Sequence, residues 1–383
     1  MTATENDQFF DIRPYRDDEV PQVIARLRAD YHLADNLAKL RLPKLYRLMP
    51  FFGRFLIRQW LTWKLRGVST IAQFQALIEP QLHLQISATA DFSSSGLEKL
   101  KADESYLFIS NHRDIAMDPA FTNYALYNGG YRTVAIAIGD NLLREPWVAD
   151  LMRLNKSFIV KRNISGPREL LAASRQLAGF IRQQITQNID SVWIAQREGR
   201  AKDGVDATEP AVIKMLSLGH DKKSESLSDA LNALKIVPLA IAYELDPCDG
   251  AKAAELAGGA SYRKADDEDV RSIGLGIAGQ KGRVHLAFGQ PISGTELDVS
   301  SVVDVINQHM IQHYRLFDIN LWAWQLLEDS RDIPPLTIHP GTITRQAFEV
   351  RLMSLPEAHR PLALAMYANP LRRALAARQG GAN

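Results

Sequence analysis

The sequence predicts an α/β protein: a mainly parallel central sheet flanked by helices, with an N-terminal helical membrane-associated segment and a helical C-terminal region. Three observations lead there. Apolar runs of strand length, such as 157–160 and 236–242, alternate with longer stretches at helical spacing. Residues 44–66 carry six cations, no acid and many aromatic and aliphatic side chains. Beyond about residue 296, apolar residues return at helical spacing.

Residues 1–67 read as an N-terminal helical, membrane-surface segment. Over 14–41, Val20, Val23, Ile24 and Leu27, then Leu33, Leu37 and Leu40, recur as on one helix face. Over 44–66, Arg54, Arg58, Thr62 and Arg66 fall four apart, among Phe51, Phe52, Phe55, Trp60 and Trp63. An interfacial helix combines rings and aliphatics in the acyl boundary with cations toward anionic headgroups. A buried helix whose arginines pair with acids elsewhere has the same composition.

Residues 68–295 read as the α/β domain. The expected order is a short helix around 71–78, a strand at 82–86, a turn at 93–96 and a strand at 106–109. Further strands are expected at 133–139, 157–160, 191–195, 236–242 and 283–288, and helices over 168–187 and 208–218. The stretch 249–282 is polar and Gly/Ala-rich, with Asp266-Asp267-Glu268-Asp269, and reads as an insertion or surface excursion. Residues 296–383 read as a helical region, through Val302, Ile306 and Met310, then Leu321, Trp322 and Trp324, with a helical tail after Pro334-Pro335.

Composition narrows the function. With 383 residues, 46% of them apolar, a sizeable core is available. A net charge of +1 gives no support to bulk nucleic-acid binding. Cys248 is the only cysteine, which excludes an internal disulfide and a cysteine-based zinc cluster and fits a reducing compartment. Residues 1–11 are polar and acidic, unlike a secretory signal, and no apolar run approaches the roughly 18 residues of a spanning helix. The expected place is the cytoplasmic face of the inner membrane, held peripherally without a transmembrane span.

The chemistry centres on His112. It follows the apolar run Tyr106-Leu107-Phe108-Ile109 and precedes a helical stretch, with Asp114 and Asp118 two and six positions later. An imidazole at a strand end is how an α/β protein presents a general base, and a carboxylate on its other nitrogen fixes the tautomer. A second segment, Ser157-Phe158-Ile159-Val160, ends in Lys161-Arg162, cations that can meet an anion at the sheet edge. A solvated basic turn has the same pattern. In a third, Trp193-Ile194-Ala195-Gln196 runs into Arg197-Glu198-Gly199-Arg200, where glycine allows a sharp turn among charges. A fourth, Ile236-Val237-Pro238-Leu239, is a buried strand with proline near its start.

In this order the four segments resemble the 1-acylglycerol-3-phosphate acyltransferase family, over about a third of the chain. Asn111-His112 opens the family's His-x4-Asp block. The family's aspartate position holds Met117 here, so Asp118 stands one residue late and is favoured as the orienting carboxylate, with Asp114 the alternate. Arg162 takes the arginine place of Phe-Ile-x-Arg, with one extra residue at Lys161. Glu198-Gly199 match the family's Glu-Gly pair, and Arg200 comes one place early. The resemblance implies transfer of a fatty acyl group from acyl-CoA or acyl-carrier protein to a lysophospholipid or glycerol phosphate hydroxyl. His112 would be the base; Lys161, Arg162 and Arg200 would hold the acceptor phosphate, with Glu198, next to Gly199, holding Arg162 or Lys161 in position. The sequence has no metal cluster, so no cofactor is expected beyond the thioester co-substrate, and segment 44–66 adds an anionic membrane surface as the expected partner. A non-catalytic anionic-lipid-binding protein is the alternative.

Overall fold

The computed structural model describes residues 7–380 apart from 163, 266, 332 and 333, so Asp266 of the acidic run and residues 1–6 lie outside the described residues. Seven strands appear among them: β1 (Ala90–Ser95), β2 (Leu107–Ser110), β3 (Ala135–Gly139), β4 (Ser157–Val160), β5 (Val192–Ala195), β6 (Ile236–Tyr243) and β7 (Gly282–Phe288). The helices are α1 (Val20–Ala29), α2 (Tyr31–Arg41), α3 (Pro43–Leu48), α4 (Pro50–Lys64), α5 (Ile71–Thr89), α6 (Met117–Asn128), α7 (Pro146–Leu154) and α8 (Pro167–Thr186). They continue as α9 (Pro210–Leu216), α10 (Leu227–Ala233), α11 (Asp249–Gly258), α12 (Glu268–Ala278), α13 (Val299–His313), α14 (Asp318–Glu328), α15 (Arg345–Met353) and α16 (Arg360–Gly380). This is a mixed α/β protein in which β1 pairs with β7, β2 with β5 and β6, and β3 with β4 in parallel, while β6 pairs with β7 antiparallel.

The chain divides into two compact units, Met1–Gln81 with Ala135–Ala173, and Leu82–Val134 with Ser174–Asn383. In the first, β3 and β4 pair in parallel. Its helical core joins Val20, Ile24 and Leu27 of α1, Leu33 of α2, Ile57 and Leu61 of α4, Phe74 of α5 and Leu154 of α7. Proline opens both α3 and α4, where its missing N–H costs nothing, and Met49 breaks the 44–66 run in two. The faces of α4 depart from the sequence expectation. Gly53, Ile57 and Leu61 are buried, Arg54 turns inward to an ion pair with Asp35 (2.9 Å), and Arg58 donates to the Ala29 carbonyl. The outward stripe is apolar instead: Phe51 is 84% exposed and Trp63 69%, with Phe52 and Phe55 between them.

In the second unit the strands run in the order β1-β7-β6-β2-β5. β2 lies between β6 and β5, with Phe108 beside Val237 and Trp193. All four of its residues are buried, which is why it reads as an unbroken apolar run. A second core gathers Ala242, Phe317, Ile319, Phe348, Leu352, Met366 and Tyr367 beneath α14, α15 and α16. The last of these helices also reaches the loop after β5. Asn369 Nδ2 donates to the Asp203 carbonyl (2.6 Å) and Arg373 Nη1 to the Asp206 carbonyl (2.7 Å).

Three expectations are corrected. Residues 82–86 are not a strand but continue α5 past Pro80; of Leu82, Leu84 and Ile86 only Ile86 is buried, and Thr89 Oγ1 donates to Gln85 O as a helical residue does. Residues 93–95 belong to β1, and the turn begins at Gly96, whose φ is +83°. The 249–282 excursion holds two helices, α11 and α12. Two of their small residues are packing residues: Ala253 is buried, and a side chain at Gly276 would overlap the carboxylate of Asp114.

Candidate active site

The site grows from the carboxyl end of β2. There Asn111 acts as a surrogate strand residue: its Oδ1 accepts from Ile241 N (2.7 Å) and its Nδ2 donates to Ile241 O (2.9 Å). This stitches the end of β2 to β6 and sets the direction of the next residue. His112 Nδ1 lies 2.8 Å from Asp118 Oδ2, and its ring stands edge-on to Trp193 with centroids 5.7 Å apart. The side chain of His112 is 13% exposed and that of Asp118 fully buried.

Asp118 lies in the first turn of α6, where a negative charge is favoured by the helix dipole. Besides the imidazole, its Oδ2 accepts from Arg113 N (2.6 Å) and Asp114 N (3.0 Å), and its Oδ1 from the hydroxyl of Tyr243 (2.8 Å). An ionised carboxylate can only accept, so in the neutral imidazole paired with it the proton lies on Nδ1 and Nε2 keeps a lone pair.

Asp114 does other work. Its Oδ1 accepts from Ala116 N (2.9 Å) and Met117 N (2.8 Å), a local turn that starts α6. Burial, with the charge of Asp118 adding, raises its carboxyl above the usual carboxylate range. This turn accommodates the residue by which the spacing exceeds His-x4-Asp.

The third segment lies beside the first. β5 extends past Ala195 through Gln196 N, which donates to Ser110 O (2.8 Å), and Ala201 N donates to the carbonyl of His112 itself (2.8 Å). Between them Gly199 takes a φ of +73°, open to a residue without Cβ, and Glu198 is exposed. Arg200 Nη2 reaches Ser272 Oγ of α12 at 3.3 Å, while its buried Nη1 has no hydrogen-bond partner among the described residues.

Lys161 and Arg162 belong to the other unit, at the end of β4. Lys161 forms an ion pair with Asp11. Arg162 is exposed; its backbone N–H points at Asp140 (3.3 Å) and its Nε lies where a side chain on Gly139 would stand.

Several residues behind the site escaped the sequence reading. Arg113 is buried, bonded to Asp206 Oδ2 (2.7 Å), and its carbonyl accepts from Lys252 Nζ (2.7 Å). Lys252 is itself buried against Asp246; although burial opposes ionisation there, Lys252 holds the Asp246 carboxyl below its usual range. Cys248 is buried, and burial, with Asp246 and Asp114 near, pushes its thiol up to about 11, away from the thiolate form. Tyr243 had one signal, a hydroxyl-bearing ring at the carboxyl end of a buried strand. Arg113 and Lys252 had none, since only tertiary contact distinguishes them from surface cations. Among the described residues no group of three His, Cys, Asp or Glu side chains could hold a metal ion.

Residues 91–206, which include β2, His112, Asp118 and the Arg200 loop, match the family described as Acyltransferase. The chain is also similar to a solved structure, the 1-acyl-sn-glycerophosphate (LPA) acyltransferase of Thermotoga maritima, at 16% identity and a TM-score of 0.35, over 74% of this chain and 96% of that one. No curated protein matches the chain.

Proposed function

We propose, from the match of residues 91–206 to the acyltransferase family, that the chain moves a fatty acyl group from acyl-CoA or acyl-carrier protein to a hydroxyl of lysophosphatidic acid or a related glycerophosphate or lysophospholipid. His112 Nε2 takes the proton of the acceptor hydroxyl as its oxygen attacks the thioester carbonyl. The C–O bond forms, the C–S bond breaks, and the imidazolium returns its proton to the departing thiolate. Asp118 holds the imidazole in the required tautomer and offsets the charge it acquires. The observation that carries this reading is the 2.8 Å bond between His112 Nδ1 and a fully buried Asp118.

Arg200 is the proposed phosphate ligand of this unit, since a buried guanidinium nitrogen without a partner is a site for an anion oxygen. Glu198 and Gly199 shape its loop. Lys161 and Arg162 are proposed as further phosphate ligands on the strength of their motif. The reaction so written needs neither metal nor cofactor beyond the thioester.

An anionic membrane surface is the proposed partner of α3 and α4. Support comes from the outward apolar stripe of Phe51, Phe52, Phe55 and Trp63, with Lys44, Arg47 and Arg66 exposed around it. No helix of the described residues is long and apolar enough to cross a membrane. Attachment at the cytoplasmic face would place the enzyme where its acyl chains dissolve.

The test is purified protein given labelled acyl thioester and a panel of lysophospholipids. Acylated lipid and free thiol should appear together, and His112→Ala should abolish both. Thiol release without acylated lipid would make the protein a thioesterase; liposome binding with neither product would make it a lipid-binding protein.

A further inference from the structure

Tyr243 is the last residue of β6, and its ring packs edge-on against Phe121 with centroids 5.8 Å apart. Its hydroxyl is committed to Asp118 Oδ1 at 2.8 Å, the carboxylate oxygen opposite the one that holds His112. Burial, with the charges of Asp118 and Asp114 adding, raises the phenol well above its ordinary range, so it stays a donor at any working pH.

A carboxylate shares one negative charge between two oxygens. Each donor to one oxygen draws charge from the other and weakens its hold on a cation there. We infer that Tyr243 is a positioning residue that tunes the base: its hydroxyl restrains Asp118 from holding a proton too firmly on His112, so that the imidazole is free to accept the proton of the acceptor hydroxyl. This rests on the reading of His112 as the base.

The surrounding charges are already engaged. Arg113 bonds Asp206 and lies under the Tyr314 ring, Lys252 pairs with Asp246, and Asp114 is tied to the start of α6. Lys281, which feels Asp114 and whose amine burial lowers to about 8, donates to Gly279 O (2.8 Å), and Arg200 donates to Ser272. Removing the Tyr243 hydroxyl therefore changes one donor to Asp118 and leaves these groups in place.

The experiment is the pH profile of kcat/KM for Tyr243→Phe and for 3-fluorotyrosine placed at position 243 alone. In Tyr243→Phe, charge concentrates on Asp118, and the acid limb should move up by roughly half a pH unit or more, with the acceptor KM little changed. Fluorotyrosine has almost the same shape but is a stronger donor, so its limb should move down. The proton resonance of the His112–Asp118 hydrogen bond should shift in opposite directions in the two proteins. Limbs that coincide with wild type, or that both move the same way, would overturn the inference. If Tyr243→Phe does not fold, the fluorotyrosine protein decides alone. His112→Ala run alongside separates the two claims: full turnover there removes the base assignment, whereas an inactive His112→Ala with an unmoved fluorotyrosine limb removes only the role of Tyr243.

Discussion

At the end of β2 and at the end of β4 the chain carries a motif one residue longer than the family pattern it resembles, and the two ends absorb the extra residue differently. After β2 most of the lengthened loop is buried, and its carboxylates and amide are bonded. Asp114 turns the chain into α6, Asp118 gathers four donors, and Asn111 bonds across to β6. After β4 the extra residue stands at the surface, with Lys161 reaching Asp11 and Arg162 exposed. Breaking a buried, bonded charge pair costs about 3–5 kcal/mol, whereas an exposed pair contributes at most about 1 kcal/mol. Burial thus specifies the register of the first insertion far more strongly than that of the second.

Substitutions can break that comparison. The largest effect is expected at His112→Ala, a loss of about 10²–10⁴-fold in kcat with the fold intact. Asp118→Asn should cost more than Asp114→Asn, because an amide at 118 loses the charge that steadies the imidazolium, while an amide oxygen at 114 can still accept from Ala116 and Met117. Turnover measured on purified variants checks the order, and Asp114→Asn below Asp118→Asn would exchange the two roles.

Next in size are Arg200→Ala and Arg162→Ala, which should raise the acceptor KM more than the donor KM. If Arg200 alone does so, the exposed strand end is a basic turn and not a ligand.

Stability gives a smaller and opposite signal. The Asp114 carboxyl is raised in the folded protein, so the folded state binds its proton more tightly than the unfolded one. That stability is present below about pH 4 and is lost as pH rises through the folded value. Asp114→Asn should therefore melt higher than wild type at pH 7, and the advantage should vanish in acid. An advantage independent of pH would have another cause.

The smallest effect on turnover in detergent, though not on membrane binding, is expected from Phe51→Ser with Phe55→Ser. Neither ring is buried, so the fold should persist while flotation with anionic liposomes falls. Reversing Arg54 would be the poorer test, since it breaks the pair with Asp35.

What could be read from the sequence follows the same division. β4 lies at 157–160 as expected, and β6 and α8 within a residue, because uninterrupted apolar runs or a long helical period leave little choice. The strand ends that carry His112 and Arg200 were legible for the same reason. Period-two alternation over five residues at 82–86 was too short to resist helix propagation from Ile71. At 249–282 the composition suggested a loose excursion, yet Ser272 and Gly276 are small because α12 lies against Arg200 and Asp114. Contacts of that kind join residues distant in the chain, and a local pattern does not contain them.

The bonds from α16 to the loop after β5 bear on synthesis. Asn369 and Arg373 meet Asp203 and Asp206 across sequence separations of 166 and 167 residues. Gly204, with a φ of +75°, sits where any side chain would strike the backbone of Met366. The stretch that ends at residue 206 therefore leaves the ribosome long before the helix that braces it. Until α16 has emerged, the nascent chain holds a nearly complete sheet with an unbraced arginine loop, a state of high contact order that folds slowly and exposes apolar surface. The loop that carries Arg200 should thus gain its brace only after α16 has emerged.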